Sequence, residues 1–399
     1  MVKRMACNIL VWNLGSTSFK FKLYDMETET SVARGKITNI FCPDSPYEFK
    51  GTCGVRKGWM DTSEGYQPCI TAILEFLKEI LPKGLTDIQA FGFKTVMAGN
   101  VNSPCVLNED VLDRMRRYHF VAPAHNGPYV EAITILQKLV PQIPMVGSFE
   151  TAFHQTIPDY ASVYSIDKGI AEKYGIRKYG FHGASHSYAA WKYGQIEPDC
   201  KRIISMHLGG SSSICAIKNG KSADISMGFS PQSGLPMNNR NGDVDVFAVL
   251  YLMEQENWTP VQAREFLSKK CGLLGMSGIS NDMQVIAESR EGDMVVEAYA
   301  YAAAKYVSSF LPALGGVDLI SFSGGIGENS MVVKEKICHL LSFLGVQLDR
   351  QKCAQSTDAE PLMISAEDSK VKVYITPVDE EIMVARNTYF VYQKLNACT

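Results

Sequence analysis

Three short apolar runs, each ending in a glycine- and serine-rich turn, set the pattern of this chain. Ile9-Leu10-Val11-Trp12 leads into Asn13-Leu14-Gly15-Ser16-Thr17-Ser18, and Ile203-Ile204-Ser205-Met206 into His207-Leu208-Gly209-Gly210-Ser211-Ser212-Ser213. Leu319-Ile320-Ser321-Phe322 leads into Ser323-Gly324-Gly325-Ile326-Gly327-Glu328-Asn329. Each apolar run reads as a buried strand. Beyond the first turn, Phe19 to Asp25 alternates apolar and polar residues, the period of a half-buried strand. Beyond the second, Ile214 to Ile217 runs into Lys218-Asn219-Gly220-Lys221, where Asn-Gly marks a tight hairpin turn. The first two segments therefore read alike: strand, turn, antiparallel strand. Gly15 and Gly209 stand about half a chain apart, the spacing of a duplicated domain. The plain alternative is two ordinary β-hairpins.

Helical patterning marks Cys69–Ile80, Glu109–Tyr118, Tyr129–Leu139 and Met294–Leu314, with Ala298–Ala304 rich in helix formers. An amphipathic pattern over Glu328–Leu344 opens just after Gly327, which sets the third turn at a helix N-terminus. Val371–Ile375 reads as a late strand ending at Pro377. Strands interleaved with helices give an α/β fold. No low-complexity linker separates the halves, so the boundary rests on motif spacing. It falls near 150: residues 1–150 form one domain, completed by 386–399, and 151–385 form the second.

Composition narrows the partners. A chain of 399 residues exceeds one ordinary core, and 46% hydrophobic with 20% charged residues is globular usage. A formal charge of −3 argues against a nucleic-acid binder, which would normally carry a basic stripe. No apolar run approaches the roughly 20 residues of a bilayer span. Lys3 and Arg4 precede only Ile9–Trp12, too short for a signal-peptide core. Eleven cysteines without a C-x-x-C pair fit a reduced, cytoplasmic setting better than a disulfide framework.

The turns carry the first candidate chemistry. Glycine permits positive φ and close backbone approach, so successive N–H groups can converge on an anion, and serine hydroxyls add donors. At the third turn, free N–H groups and the helix dipole also favour phosphate. Together the three turns point to a nucleotide phosphate chain held between two related domains. His182 and His186 stand four apart in Tyr179-Gly180-Phe181-His182-Gly183-Ala184-Ser185-His186. On one helix face they would suit a metal, but the glycines argue against a regular helix and no third ligand stands out. Hydrogen bonding to charge that develops in a reaction is the other role, and a satisfied loop histidine the plain one. Arg240, in Met237-Asn238-Asn239-Arg240-Asn241-Gly242-Asp243-Val244-Asp245, could clamp an acid or phosphoryl group bidentately, or pair locally in a surface turn. Glu150 is a lone acid at a turn or helix start. Asp379-Glu380-Glu381 could offer a carboxylate to Mg²⁺, a hard cation, or form an ordinary acidic surface.

Taken together these segments resemble the acetate and propionate kinase family, within the acetate/sugar kinase, Hsp70 and actin superfamily. The resemblance runs from NLGSTSFKFKLYD through FETAFHQTIP, YGIRKYGFHGASHSY and NRNGDVD to SGGIGENS and DEEIMVAR. It implies two RNase H-like domains with ATP between them, and usually a homodimer. It also implies reversible phosphoryl transfer between ATP and a short-chain carboxylate, giving acyl phosphate and ADP with Mg²⁺. By motif, Asn13 and Glu380 would position Mg²⁺, and Lys20 would lie near the phosphates. His207, Gly209, Gly210, Ser211, Gly324, Gly325, Gly327 and Asn329 would line the nucleotide site, with Asp282 near the adenosine. His182 and Arg240 match the transition-state stabilisers. Glu150 and Lys94 would address Mg²⁺ or the substrate carboxylate.

Several positions depart from the family pattern. Lys94 and Phe93, in Gly92-Phe93-Lys94-Thr95-Val96-Met97-Ala98-Gly99, stand where GHRxVHGG is usual, so a clamping arginine becomes lysine. Glu150 replaces aspartate, Gly210-Ser211 replaces Asn-Gly, and Gln284 replaces arginine. His125-Asn126 is kept, but Gly127-Pro128-Tyr129 follows it. One explanation is a changed substrate or donor, with Phe93 and Met97 reshaping the pocket near the acyl tail. The other is a degenerate paralogue that binds nucleotide and acts as a regulatory or scaffold protein. The presence of His182, Arg240, Asn13 and Glu380 favours a working enzyme. A sugar kinase or chaperone-like ATPase would share the turns without the FHGASH and NRNGDVD segments.

Overall fold

A computed structural model of the chain describes residues 7–15, 17–121, 123–355, 357 and 360–397, apart from the side chains of 123–125. Ser16 of the first turn and the His125 side chain therefore lie outside the described residues. Two compact units result. Unit 1 runs to Ala152 and resumes at Asp379; unit 2 runs from Phe153 to Val378. The return to unit 1 thus falls ahead of 386, because one continuous helix, Glu380–Ala397, packs on the first sheet.

Unit 1 holds an eight-stranded sheet. Its strands are β1 (Asn8–Leu14), β2 (Ser18–Asp25), β3 (Thr30–Thr38), β4 (Ser45–Gly51), β5 (Gly54–Met60), β6 (Ile88–Thr95), β7 (Cys105–Val106) and β8 (Met145–Phe149). They are ordered β5-β4-β3-β2-β1-β6-β8-β7. β1, β2 and β3 pair antiparallel, while β1, β6 and β8 pair parallel. One face carries Trp12, Phe19, Phe91 and Phe93 into a core closed by the helices Tyr66–Ile80 and Pro123–Leu139. On β6 the alternate positions Gly92 and Lys94 face the C-terminal helix. A Cβ at Gly92 would collide with Thr388 Oγ1, so glycine is what lets that helix lie close.

Unit 2 repeats the plan with β9 (Arg202–Leu208), β10 (Ser212–Lys218), β11 (Lys221–Ile225), β12 (Leu319–Ser323), β13 (Leu362–Met363) and β14 (Lys372–Ile375). The order is β11-β10-β9-β12-β14-β13, with β9 antiparallel to β10 and parallel to β12. The helix Asp293–Ser309 buries Val295, Val296, Tyr299 and Ala303 in this unit's core. The five central strands of both units share one order and one set of directions. That arrangement, three antiparallel strands followed by two parallel ones, is RNase H-like in each. Both glycine turns expected to open a hairpin do so: Gly15 joins β1 to β2, and Gly209-Gly210-Ser211 joins β9 to β10.

The helix expected over Glu328–Leu344 is instead two, Gly324–Asn329 and Met331–Leu340. Ser330 between them is extended, and the buried Lys334 closes the first piece by donating to Gly327 O at 3.1 Å and Glu328 O at 2.7 Å. Helix formation thus begins directly at the third turn's first glycine.

Candidate functional site

In unit 2 the second and third turns meet the segment around Asp282. Gly209, Gly210, Asn238, Asp282, Gln284, Gly325 and Asn329 line a cavity of about 600 Å³. Its glycines work in different ways. Gly324 sits at φ +75°, and a Cβ there would fall 2.6 Å from Leu208 O, so the backbone itself is the tight spot. Gly327 packs the short helix against Phe322 and Leu208. Gly209, Gly210 and Gly325 supply the wall. Asp282 caps the helix Met283–Ala287, its carboxylate accepting from Gln284 N at 2.9 Å. Gln284 spends its side-chain amide on Glu288, 3.2 Å away.

Next to this cavity lies a cluster of imidazoles and hydroxyls. His182 is the left-handed residue (φ 57°) just ahead of the helix Gly183–Ile196. A non-glycine residue held in that region stores strain that a site can use. The glycines expected to break the helix therefore mark its start, and His186 is helical while His182 is not. Ser213 Oγ bridges the two, 2.8 Å from His182 Nδ1 and 2.8 Å from His186 Nε2. His186 also meets Ser205 Oγ at 2.9 Å, and burial holds its imidazole well below the ordinary range. A neutral His186 thus fixes the Ser213 hydroxyl, and through it the ring of His182. His207 lies against the His182 ring (centroids 4.4 Å apart) and meets Ser185 Oγ at 2.9 Å.

Behind them His154 is buried, with Nε2 2.9 Å from Phe181 O and Nδ1 2.9 Å from Ser222 Oγ. The carbonyl requires a proton on Nε2, and burial lowers the pKa to about 4. An unfolded histidine takes up its proton near pH 6.5, whereas the folded one resists until about 4, so the unfolded state binds more protons in between. Stability should therefore fall as pH drops through that window, by about 3 kcal/mol for this group. Urea unfolding at pH 7 and pH 4.5, for wild type and His154→Asn, checks this. Parallel pH dependences in the two proteins would contradict it.

Arg240 sits half-buried on the loop after β11. Its Nη1 donates to Ser211 Oγ at 3.1 Å and Pro231 O at 3.3 Å. Burial draws the guanidinium below its usual range, with no counter-charge to oppose that. Among the described residues no carboxylate pairs with it. A second cavity, of about 310 Å³, is lined by Arg240 with Gly210, Asn238 and Asn239.

Unit 1 gathers the acids. The three successive carboxylates take three different partners. Asp379 accepts from Lys22 Nζ at 2.7 Å and Tyr24 OH at 2.9 Å. Glu380 pairs with Lys94, and Glu381 accepts from Asn13 Nδ2 at 2.8 Å. Lys94 Nζ also stands 3.5 Å from Glu150 Oε1, and Glu150 is itself buried. Burial alone would depress the Lys94 ammonium; Glu380 and then Glu150 outweigh it and hold the group charged well above its ordinary range. The acid beside Asn13 is Glu381 rather than Glu380. Nothing in a bare Asp-Glu-Glu run ranks one acid over another. An amide oxygen beside carboxylates offers the hard donors that Mg²⁺ takes, while no group of three or more His, Cys, Asp or Glu among the described residues is arranged to hold a metal ion. Lys20 lines a separate groove with Asn13 and Glu381.

Phe93 does not shape a pocket. It is fully buried and stacks on Trp12 (centroids 6.5 Å, 14° between planes), because strand alternation sends it to the face opposite Lys94. Met97 is buried too, and its carbonyl accepts from Asn126 Nδ2 at 2.9 Å. Ser213, His154 and Lys334 had no role legible in the sequence. For the first two, the signal was a serine in a phosphate-type turn and a histidine within Phe149–Pro158.

With this geometry, residues 8–386 match the acetokinase family. The chain belongs to that family. It is 40% identical to an acetate kinase of Phocaeicola vulgatus, covering 97% of this chain and 100% of the relative. An acetate kinase of Carboxydothermus hydrogenoformans is 39% identical over 95% of this chain and 98% of its own. Among solved structures, the acetate kinase of Porphyromonas gingivalis superposes with a TM-score of 0.86 at 34% identity, covering 97% and 100% of the two chains. A propionate kinase from Francisella tularensis gives 0.88 at 32% identity, covering 96% and 99%. Family membership supports an ATP-dependent carboxylate kinase and not the degenerate scaffold. No helix among the described residues is long and apolar enough to cross a membrane.

Proposed function

We propose that this acetokinase-family chain catalyses reversible transfer of a phosphoryl group from ATP to acetate or propionate, giving acyl phosphate and ADP. The observation that carries the reading is Arg240: a partly desolvated guanidinium with no carboxylate partner among the described residues, bonded to the same turn that lines the glycine cavity. A cation so placed suits an anion brought by substrate. In phosphoryl transfer the protein aligns the groups and neutralises charge on the equatorial oxygens. Arg240 supplies charge and a bidentate fork, and His182 supplies a hydrogen bond from a ring fixed through Ser213. Gly209, Gly210, Gly325 and Asn329 take the nucleotide, with Asp282 towards its adenosine and His207 and Ser211 beside the phosphates. Gly324 and Gly327 set the backbone that presents them. A carboxylate is already a nucleophile at pH 7, so Glu150 and Lys94 orient charge and abstract no proton. Asn13, Glu381 and Glu380 would hold Mg²⁺, which would neutralise phosphate charge, with Lys20 adding a further cation. Assay of acyl phosphate as hydroxamate with acetate, propionate and butyrate tests the proposal. ATP binding without product from any acid would overturn it.

The same reading includes a homodimer in the cytoplasm. The helix Val246–Gln255 has no buried residue, yet it presents Val246, Phe247, Leu250 and Tyr251 to solvent, with Phe247 77% exposed. A contiguous apolar face of this kind marks an interaction surface, and a second copy covers it here. Phe247→Glu should turn a dimer into a monomer by light scattering, and an unchanged mass would exclude this face. All ten described cysteines are free, in keeping with a reducing compartment.

A further inference from the structure

The sheet face of β2, β3 and β4 carries charges that no part of the kinase reading beyond Lys20 employs. Pairing across the strands places like charges opposite one another at three positions, Lys20 facing Lys36, Lys22 facing Arg34 and Arg34 facing Lys50, while Lys36 also faces Glu48. Directly opposed like charges destabilise a sheet, and an ordinary solvent face alternates their signs. This chain does pair its charges elsewhere, as in Arg56–Glu79 and Lys78–Glu75. Here Lys22 is answered by Asp379, and Glu48 is taken by Lys57 at 3.2 Å. Lys20, Arg34, Lys36 and Lys50 have no ion pair among the described residues. Five cations and two carboxylates, Glu48 and Glu381, line one groove of about 350 Å³, on a chain whose net charge is −3.

We propose that this groove of unit 1 is a binding site for an oligophosphate chain. The spacing supports more than one phosphate. Neighbouring strands lie about 4.8 Å apart, and same-face residues along a strand about 6.7 Å apart, so five cations and Glu48 fill a two-by-three lattice. One orthophosphate touches a single corner of it, whereas two or three linked phosphates reach across. Lysine and arginine donors to phosphate oxygens form charge-assisted bonds, and the mutual repulsion of the cations is relieved by the ligand. The groove's far side, Arg34 and Lys50, has no part in the proposed kinase chemistry, so binding there can be read apart from turnover.

The probe is inorganic tripolyphosphate, titrated calorimetrically into the full-length chain with saturating ADP present. Saturable binding is expected, weakening as salt rises and weaker by about tenfold or more in Arg34→Gln/Lys50→Gln. That variant should keep wild-type kinase activity, which separates failure of this site from failure of the kinase reading. Competition by ADP would place the anion in the nucleotide cavity and overturn the proposal. Equal affinity in wild type and variant would overturn it too, as would binding of duplex DNA that outcompetes tripolyphosphate.

Discussion

Replacing Arg240 by alanine is expected to lower kcat by roughly 10²–10³-fold, the usual loss for one preorganised transition-state donor. The fold should survive. Arg240 pairs with no acid among the described residues, so its removal strands no buried carboxylate, and burial of its own charge is a cost already borne. Ser211 Oγ loses one donor and keeps its contact with Met237 Sδ at 3.5 Å. ATP affinity should change little, because the nucleotide wall is built from Gly209, Gly210, Gly325 and Asn329. Arg240→Lys keeps the charge but not the planar fork, so it should recover only part of the rate. Steady-state kinetics with a thermal melt decides the matter. An unchanged kcat, or a loss of kcat that merely tracks unfolding, would remove Arg240 from the chemistry.

Lys94→Met should behave in the opposite way, losing stability before anything else. Its ammonium lies between Glu380 and Glu150, both largely shielded from water. Without it both carboxylates lose this ammonium, and breaking a buried pair in this manner costs about 3–5 kcal/mol. The strain should show as a fall in the denaturant midpoint of unit 1 that shrinks at low pH, where one carboxyl takes a proton. Adding Glu150→Gln should restore part of the loss, since a double-mutant cycle isolates the coupling. If Lys94→Met and wild type share a midpoint at pH 7, the triad is not structural. The lysine at this position therefore does more than stand in for an arginine: it is a cation shared by two acids.

Much of the architecture could be read from residue order because its strands are short, apolar and closed by glycine. Ile9–Trp12 and Ile203–Met206 run straight into the hairpins their turns foretell. Helix ends were less legible. The amphipathic stretch from Glu328 to Leu344 keeps its period across Ser330, so only the tertiary contact of Lys334 reveals the break. In the site, glycine positions and Arg240 were legible as residue types suited to anions. Partnerships were not. Ser213 becomes a bridge only because β10 pairs with β9 in a register that brings it between two histidines, and Glu381 reaches Asn13 only because a helix starts at Glu380. The same alternation of strand faces that makes Lys94 available removes Phe93 from any pocket.

The repeated strand order has a consequence for how such a chain can change. Asn13 and His207 occupy the same place, one residue from the end of the first strand of their units, and each faces a partner across the hairpin: Lys20 for one, Ser213 for the other. A single scaffold thus carries two unlike tool heads, amide with ammonium and imidazole with hydroxyl. The cores beneath do not depend on which head is fitted, because these positions project away from the apolar layer. Chemistry can be exchanged at strand tips while folding is left alone, and Gly210-Ser211 in place of Asn-Gly is a change of that kind.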